Sequence, residues 1–285
     1  MHWFRQRKFF IILISPAIIY LIITAFYPLV DSLRLSFFRE GEFLGLRNYI
    51  DAVTREYFLP NLVRSFFWSI SIVLGQNIIG MTFAVLLNSQ IKYRNLWRGL
   101  QYLPWLLSPT VVAVLWISFC LPVRGLINTT LRNLDLLSLM RDWLGDPQTA
   151  LPAIIIADTW HWYAFFTIMY LAGMQNIPES LNDAARVDGA NEWDIFRHIA
   201  FPLLKPIILT ASIIQFLWVF RFFDLIWIMT KGGPIKASEI LATQIYKTAL
   251  FRYDFNEAAA LGIIMSFIML IFVFLYLYYY RRGEA

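Results

Sequence analysis

The chain has 285 residues, of which 59% are hydrophobic, 18% aromatic and only 15% charged, with a mean hydropathy of +0.59. A soluble domain has roughly 45–50% apolar and about 25% charged residues, so this surplus of apolar surface cannot all enter one water-facing core and part of it must face lipid. The net charge of +5 and pI near 9.3 do not point to nucleic acid, because the basic residues are scattered and gather at the ends of apolar runs; the lone cysteine, Cys120, excludes an intrachain disulfide and is a small apolar filler.

A spanning helix needs about 20 mostly apolar residues, since the hydrocarbon layer is roughly 30 Å thick and each helical residue rises about 1.5 Å. In chain order, six stretches meet this: 9–30, 62–88, 99–121, 150–174, 203–229 and 258–280. The first follows Arg5, Arg7 and Lys8. It is longer than the roughly 7–15 apolar residues of a signal peptide, so it is expected to remain as a span. No linker, low-complexity tract or internal repeat divides the chain, which reads as one all-α transmembrane domain over 1–285.

The connecting segments carry eleven Lys and Arg on each side of the membrane, so the raw count does not orient the chain. Their density does. Residues 1–8, 89–98, 175–206 and 281–285 form the shorter set, with basic residues crowding the span ends, and they are assigned with both termini to the cytoplasm.

The longest of these cytoplasmic segments, about 175–202, reads as two short helices. Pro178 suits a first helical turn, and Glu179 and Asp183 favour the positive end of the helix dipole. Ala184 and Ala185 are strong helix formers with little bulk, and Gly189 can take the left-handed conformation that ends such a helix. Asn191, with Asp194 three residues on, is an N-cap for a second helix that Pro202 is expected to stop. Such an element serves either as a docking surface for a partner or as an amphipathic connector lying on lipid headgroups.

This segment resembles the EAA loop of ABC-importer permeases, through Asp183-Ala184-Ala185, Asp188-Gly189-Ala190, Phe196, Ile199 and Pro202 at matching spacing. Asp183 stands where that family usually has glutamate, and Phe201 where it usually has leucine. Met229-Thr230-Lys231-Gly232-Gly233-Pro234 is similar to the family's T-x-GGP turn, and Gly45-Leu46-Arg47-Asn48-Tyr49 to its GL-x-NY segment. Leu103-Pro104-Trp105 with Trp116, and Gly125, Asn128, Leu131 and Arg132, point to the carbohydrate branch, similar to the maltose-transporter permeases.

The resemblance implies a type I ABC-importer permease of a bacterial or archaeal cell (inner) membrane, embedded in membrane lipid. It implies a second permease, a pair of ATPase subunits and an extracytoplasmic solute-binding protein as partners, a sugar as cargo, and alternating access as mechanism. Asp183, Ala184, Ala185, Asp188 and Gly189 would be the ATPase-coupling residues. The chain has no G-x-x-x-x-G-K-[ST] loop, so ATP and Mg would be bound by the partner ATPase and no cofactor or metal is expected here.

Charges inside apolar spans face protein or water, because their transfer into lipid is unfavourable. Asp158, His161 and Trp162 lie on the fourth span, and Gln215, Trp218, Arg221 and Asp224 on the fifth, each group at helical spacing. Aromatic rings beside hydrogen-bonding groups suit a sugar path. The same residues also fit a purely structural role, with an Arg221–Asp224 ion pair holding helices together and the aromatics packing. Arg64 is expected to snorkel to the interface without a role, and Asn128-Thr129-Thr130 matches a glycosylation sequon.

No H-E-x-x-H or G-x-S-x-G motif supports an enzyme. A proton-coupled carrier using Asp158, His161, Arg221 and Asp224 is the rival outside the class; within it, the cargo could be a polyol, glycerol phosphate or another polar solute.

Overall fold

The computed structural model describes residues 13–89 and 92–283, which are predominantly helical. Residues 9–12 of the first expected span, with His2, Arg5, Arg7 and Lys8, lie outside the described residues. The chain runs through α1 (Leu13–Phe37), a hairpin of β1 (Phe38–Arg39) and β2 (Glu42–Phe43) with Phe38 opposite Phe43, α2 (Arg47–Thr54) and α3 (Phe58–Asn88). Next come α4 (Arg94–Gln101), α5 (Leu103–Leu106), α6 (Pro109–Phe119), α7 (Leu126–Asn133) and α8 (Ala150–Gln175). The order ends with α9 (Glu179–Val187), α10 (Glu192–Arg221), α11 (Asp224–Thr230), α12 (Leu241–Leu250) and α13 (Phe255–Gly283).

Among the described residues α1, α3, α10 and α13 are long and apolar enough to cross a membrane, and α4–α6 makes a fifth if its bent parts form one span. The stretch expected at 150–174 is α8, whose 26 residues reach about 39 Å. Sixteen of its residues are buried by the protein itself, so it needs no continuous lipid-facing stripe.

Three expectations are corrected by the helix breaks. The stretch 99–121 is not one straight helix: α4–α5 meets α6 at 95°. Leu107 and Ser108 are extended there, as the residue before a proline prefers, and Ser108 Oγ accepts the Val111 amide at 3.4 Å to start α6. The stretch 203–229 breaks at the extended Phe222, which separates α10 from α11. Pro202 does not stop the helix begun at Glu192. A π turn over Phe196–Ala200 precedes it, and this widened turn makes room for the proline ring inside a continuous 30-residue helix.

The chain clusters into two compact units. One comprises the described residues up to Leu59 with Ile245–Ile268. Within it Asn48 is fully buried and its amide donates to the Ser36 and Phe38 carbonyls at 3.0 and 2.9 Å, while Tyr49 Oη lies 2.6 Å from Ser36 Oγ. The GL-x-NY segment therefore clamps the end of α1. Glu257, also fully buried, is held by Arg55 and Arg252 at 3.2 and 3.1 Å, so its charge is compensated.

The other unit comprises Pro60–Gln244 and the chain from Met269. Here α3 packs on α8 so closely that a Cβ at Gly80 would come 2.5 Å from Phe166 Cβ, the close approach small residues permit between membrane helices. Tyr170 Oη donates to Asn77 Oδ1, whose amide group reaches Ser212 Oγ at 3.1 Å, joining α8, α3 and α10.

Arg64 has a role after all. It donates to Asn61 Oδ1 at 2.6 Å and to the Glu239 carbonyl at 2.8 Å, and Ser65 Oγ accepts the Leu241 amide at 2.8 Å. These bonds satisfy buried backbone groups of the segment that follows the T-x-GGP turn. Asn128 is 1% exposed and serves as a loop clamp, donating to Pro122 and Arg141 carbonyls at 2.8 and 2.7 Å and accepting from Trp143 Nε1 at 2.9 Å. A buried, bonded amide is no glycosylation acceptor.

Candidate functional site

The EAA-like residues occupy α9 and its junction with α10. Glu179 sits in the first turn of α9 after Pro178, as the helix dipole favours. Gly189 takes φ +87°; the Ala190 amide reaches back to the Ala185 carbonyl at 2.9 Å and the Gly189 amide to the Arg186 carbonyl at 3.1 Å. That pair of bonds is a Schellman stop. Two residues later Asn191 Oδ1 accepts the Trp193 and Asp194 amides at 2.9 and 3.1 Å, and Asp194 returns a bond to the Asn191 amide at 3.3 Å. This capping box opens α10.

No residue of α9 is buried: Asp183 and Ala184 are exposed and Ala185 half-exposed, and Asp188 and Gly189 just beyond it are exposed too, so the surface is open to a partner. Asp183 does not stand free, because Arg186 one turn on pairs with it at 3.1 Å and with Glu192 at 3.2 Å. The hydrogen bond and charge of Glu192, and after them those of Asp183, raise the Arg186 pKa above the ordinary arginine value, keeping the guanidinium protonated.

The membrane-embedded candidates converge elsewhere. Asp158 and Trp162 of α8, Gln215, Trp218 and Arg221 of α10, and Asp224 at the start of α11 line one cavity of about 300 Å³. Asp158 is fully buried, and neither carboxyl oxygen has a hydrogen-bond partner among the described residues. Trp162 and Trp218 meet edge to face at 5.8 Å, and the Arg221 guanidinium lies 5.9 Å over the Trp218 ring.

Two expected placements change. Arg221 and Asp224 form no ion pair: α10 ends at Arg221, so their three-residue spacing does not put them on one helical face. His161 does not line the cavity. Its Nε2 donates to the Leu107 carbonyl at 3.0 Å, satisfying a backbone group freed at the break before α6. Val219, Phe222 and Phe223 complete the cavity wall. They carry no polar signal and were not singled out in the sequence. Gln76 of α3, also unnoticed there, donates to the Asp158 carbonyl at 3.3 Å.

A larger groove, about 1320 Å³, runs along α3, α10 and α13 from Ile70 to Leu86. Its walls are almost wholly apolar, which suits hydrocarbon and offers a polar solute few partners.

The chain is thus a multi-helix membrane protein with an exposed helical loop and a polar cavity among its spans. Residues 76–283 match the family described as "Binding-protein-dependent transport system inner membrane component", and the chain belongs to that family. It is 32% identical over 275 residues to a "probable ABC transporter permease protein" of Brucella suis biovar 1, covering 94% of each chain. It is also 32% identical over 279 residues to the trehalose/maltose transport system permease protein MalF of Thermococcus litoralis, covering 94% of this chain and 92% of the relative. Its fold matches that of a bacterial ABC transporter involved in the import of the acidic polysaccharide alginate, with a TM-score of 0.89, 23% identity and 99% of each chain covered. The chain is thus a multi-pass permease subunit of an ABC importer of the inner membrane, and not an enzyme.

Proposed function

We propose that this permease forms, with a second permease, an alternating-access path for a sugar or oligosaccharide brought by an extracytoplasmic binding protein. The observation that carries the cargo assignment is the cavity around Asp158. Trp162 and Trp218 give aromatic faces for a sugar ring and Arg221 offers hydrogen-bond donors, while the buried, unpartnered carboxyl oxygens of Asp158 become available to solute hydroxyls as the path opens. The trehalose/maltose name of a relative supports the same class.

Two ATPase subunits, which hold ATP and Mg, dock on the cytoplasmic side, where α9 presents Asp183, Ala184 and Ala185 and its C-terminal stop presents Asp188 and Gly189. Both termini lie in the cytoplasm. The density of basic residues at the span ends supports that orientation.

The test is co-purification of this chain in detergent with the products of its neighbouring genes, followed by an ATPase assay. Recovery of a second permease and an ATPase, with turnover stimulated by the sugar-loaded binding protein, is expected. Recovery of this chain alone, with uptake into liposomes driven by a proton gradient, overturns the proposal.

A further inference from the structure

The junction between α9 and α10 is held by more than its backbone. Arg186 spans it: Nη1 donates to Asp183 Oδ1 at 3.1 Å within α9, while Nε and Nη2 both donate to Glu192 Oε1, at 3.3 and 3.2 Å, on the first residue of α10. Between these partners lies Gly189 in a left-handed conformation, where a Cβ would meet nothing within 4 Å. The Schellman bonds and the capping box fix the chain on either side of that glycine, but neither crosses from α9 to α10. Among the described residues, the hydrogen bonds that do are those of Arg186.

The helix it grips is the one that reaches the cavity. α10 runs without interruption from Glu192 to Arg221 and carries Gln215, Trp218 and Arg221 at its far end. At the near end α8 and α10 are in tight contact, since a Cβ at Gly173 would come 2.5 Å from Leu204 Cδ2 and 2.6 Å from Ile207 Cδ1. A displacement of α9 therefore reaches the cavity through α10 only if the angle at Gly189 is held. Otherwise the glycine absorbs it as a hinge.

We propose that Arg186 is a positioning residue, a strut that locks the α9–α10 angle so that movement of the docked loop is passed to α10. This rests on the reading of α9 as the ATPase-docking element. The planar guanidinium suits the task because it holds two carboxylates in fixed directions at once, which a lysine ammonium does not. Exposed pairs of this kind add little to global stability, so the strut should be visible in the geometry of the joint and not in the melting temperature.

The experiment measures the joint directly. Cys120, which is buried, is replaced by alanine, and spin labels are placed on Leu181→Cys in α9 and Arg197→Cys in α10, both exposed positions. Pulsed electron resonance then gives the distance distribution, on the full-length chain alone and on its complex with the ATPase. The native pair should give one narrow distance. Arg186→Ala should broaden it severalfold with little change in Tm, and Arg186→Glu likewise. Combining Arg186→Glu with Glu192→Arg and Asp183→Lys reverses the polarity of both arms and should narrow the distribution again. Equal widths with and without Arg186, failure of the triple exchange to narrow the distribution, or a fall in Tm at unchanged width each overturn the strut. Loss of ATPase from the native chain overturns the docking reading instead, and leaves the measurement on the chain alone intact.

Discussion

At the α9–α10 joint the ties connect residues at most six apart in sequence, and nearly all of the side chains are exposed. Around Asp158 the walls come from residues up to 66 positions apart, and the central carboxyl is fully buried with no hydrogen-bond partner among the described residues. The first region is built by local rules: a dipole-matched first turn, a Schellman stop and a capping box. It can hold its shape while presenting its surface to another protein. The second is built by helix packing, and it leaves a polar group unsatisfied, which in a membrane interior is unfavourable unless a ligand or water supplies the missing bonds. Locally completed structure suits a moving connector, whereas incomplete polar structure suits a place where something binds.

The sharpest break of that contrast is Asp158→Ala. If the carboxyl serves solute, uptake of the sugar retained by the cognate binding protein should fall by roughly tenfold or more, since a hydrogen bond to such a group contributes about 1.5 kcal/mol or more. Thermal stability of the purified chain should hold or rise, because an unsatisfied buried polar group is removed. A scaffold residue behaves oppositely, and a lowered Tm with unimpaired uptake would reassign Asp158 to packing.

Gly189→Val tests the other side. The position has ample space, so the penalty is purely conformational: a β-branched residue at φ +87° is strained by roughly 1–2 kcal/mol or more. The Schellman stop should open and recovery of the ATPase in a pull-down should drop severalfold, while the cavity stays intact. Gly189→Asn, which tolerates the left-handed region, should keep most of the recovery. Equal loss in both variants would show that the glycine matters for its lack of bulk against the partner and not for its backbone.

The same division decides what could be read before the fold was known. The roles of Glu179, Gly189, Asn191 and Asp194 follow from chain-local chemistry, and each sits where that chemistry puts it. Helical periodicity also picked out Asp158, Trp162, Gln215, Trp218 and Arg221, which line the cavity, because spacing along α8 and α10 survives folding; Asp224 lines it from beyond the break. What failed depended on where helices end. The break at Phe222 has no proline or glycine to announce it, and it cancels the Arg221–Asp224 pair. His161 was drawn to a carbonyl freed at another break, which no local pattern places near it. Pro202 was overruled by a π turn, a feature set by packing. Arg186 went unremarked because its partner lies across a turn, at a spacing that no helical rule counts.

The finest probe is Asp183→Lys. Its carboxylate is 64% exposed and paired with Arg186, so the substitution removes one arm of that bridge and sets a second cation beside the guanidinium. The helix itself should tolerate it, because the new lysine lies four residues after Glu179, the favourable order for an intrahelical pair. Tm should therefore barely move. What changes is the sign of charge offered to a partner at the middle of α9, and recovery of the ATPase should weaken by a smaller factor than in Gly189→Val. Asp183→Asn, which removes the charge without reversing it, should fall between Asp183→Lys and the native chain. Unchanged recovery in both variants would remove Asp183 from the docking surface and leave its carboxylate with a single job, holding Arg186 in place.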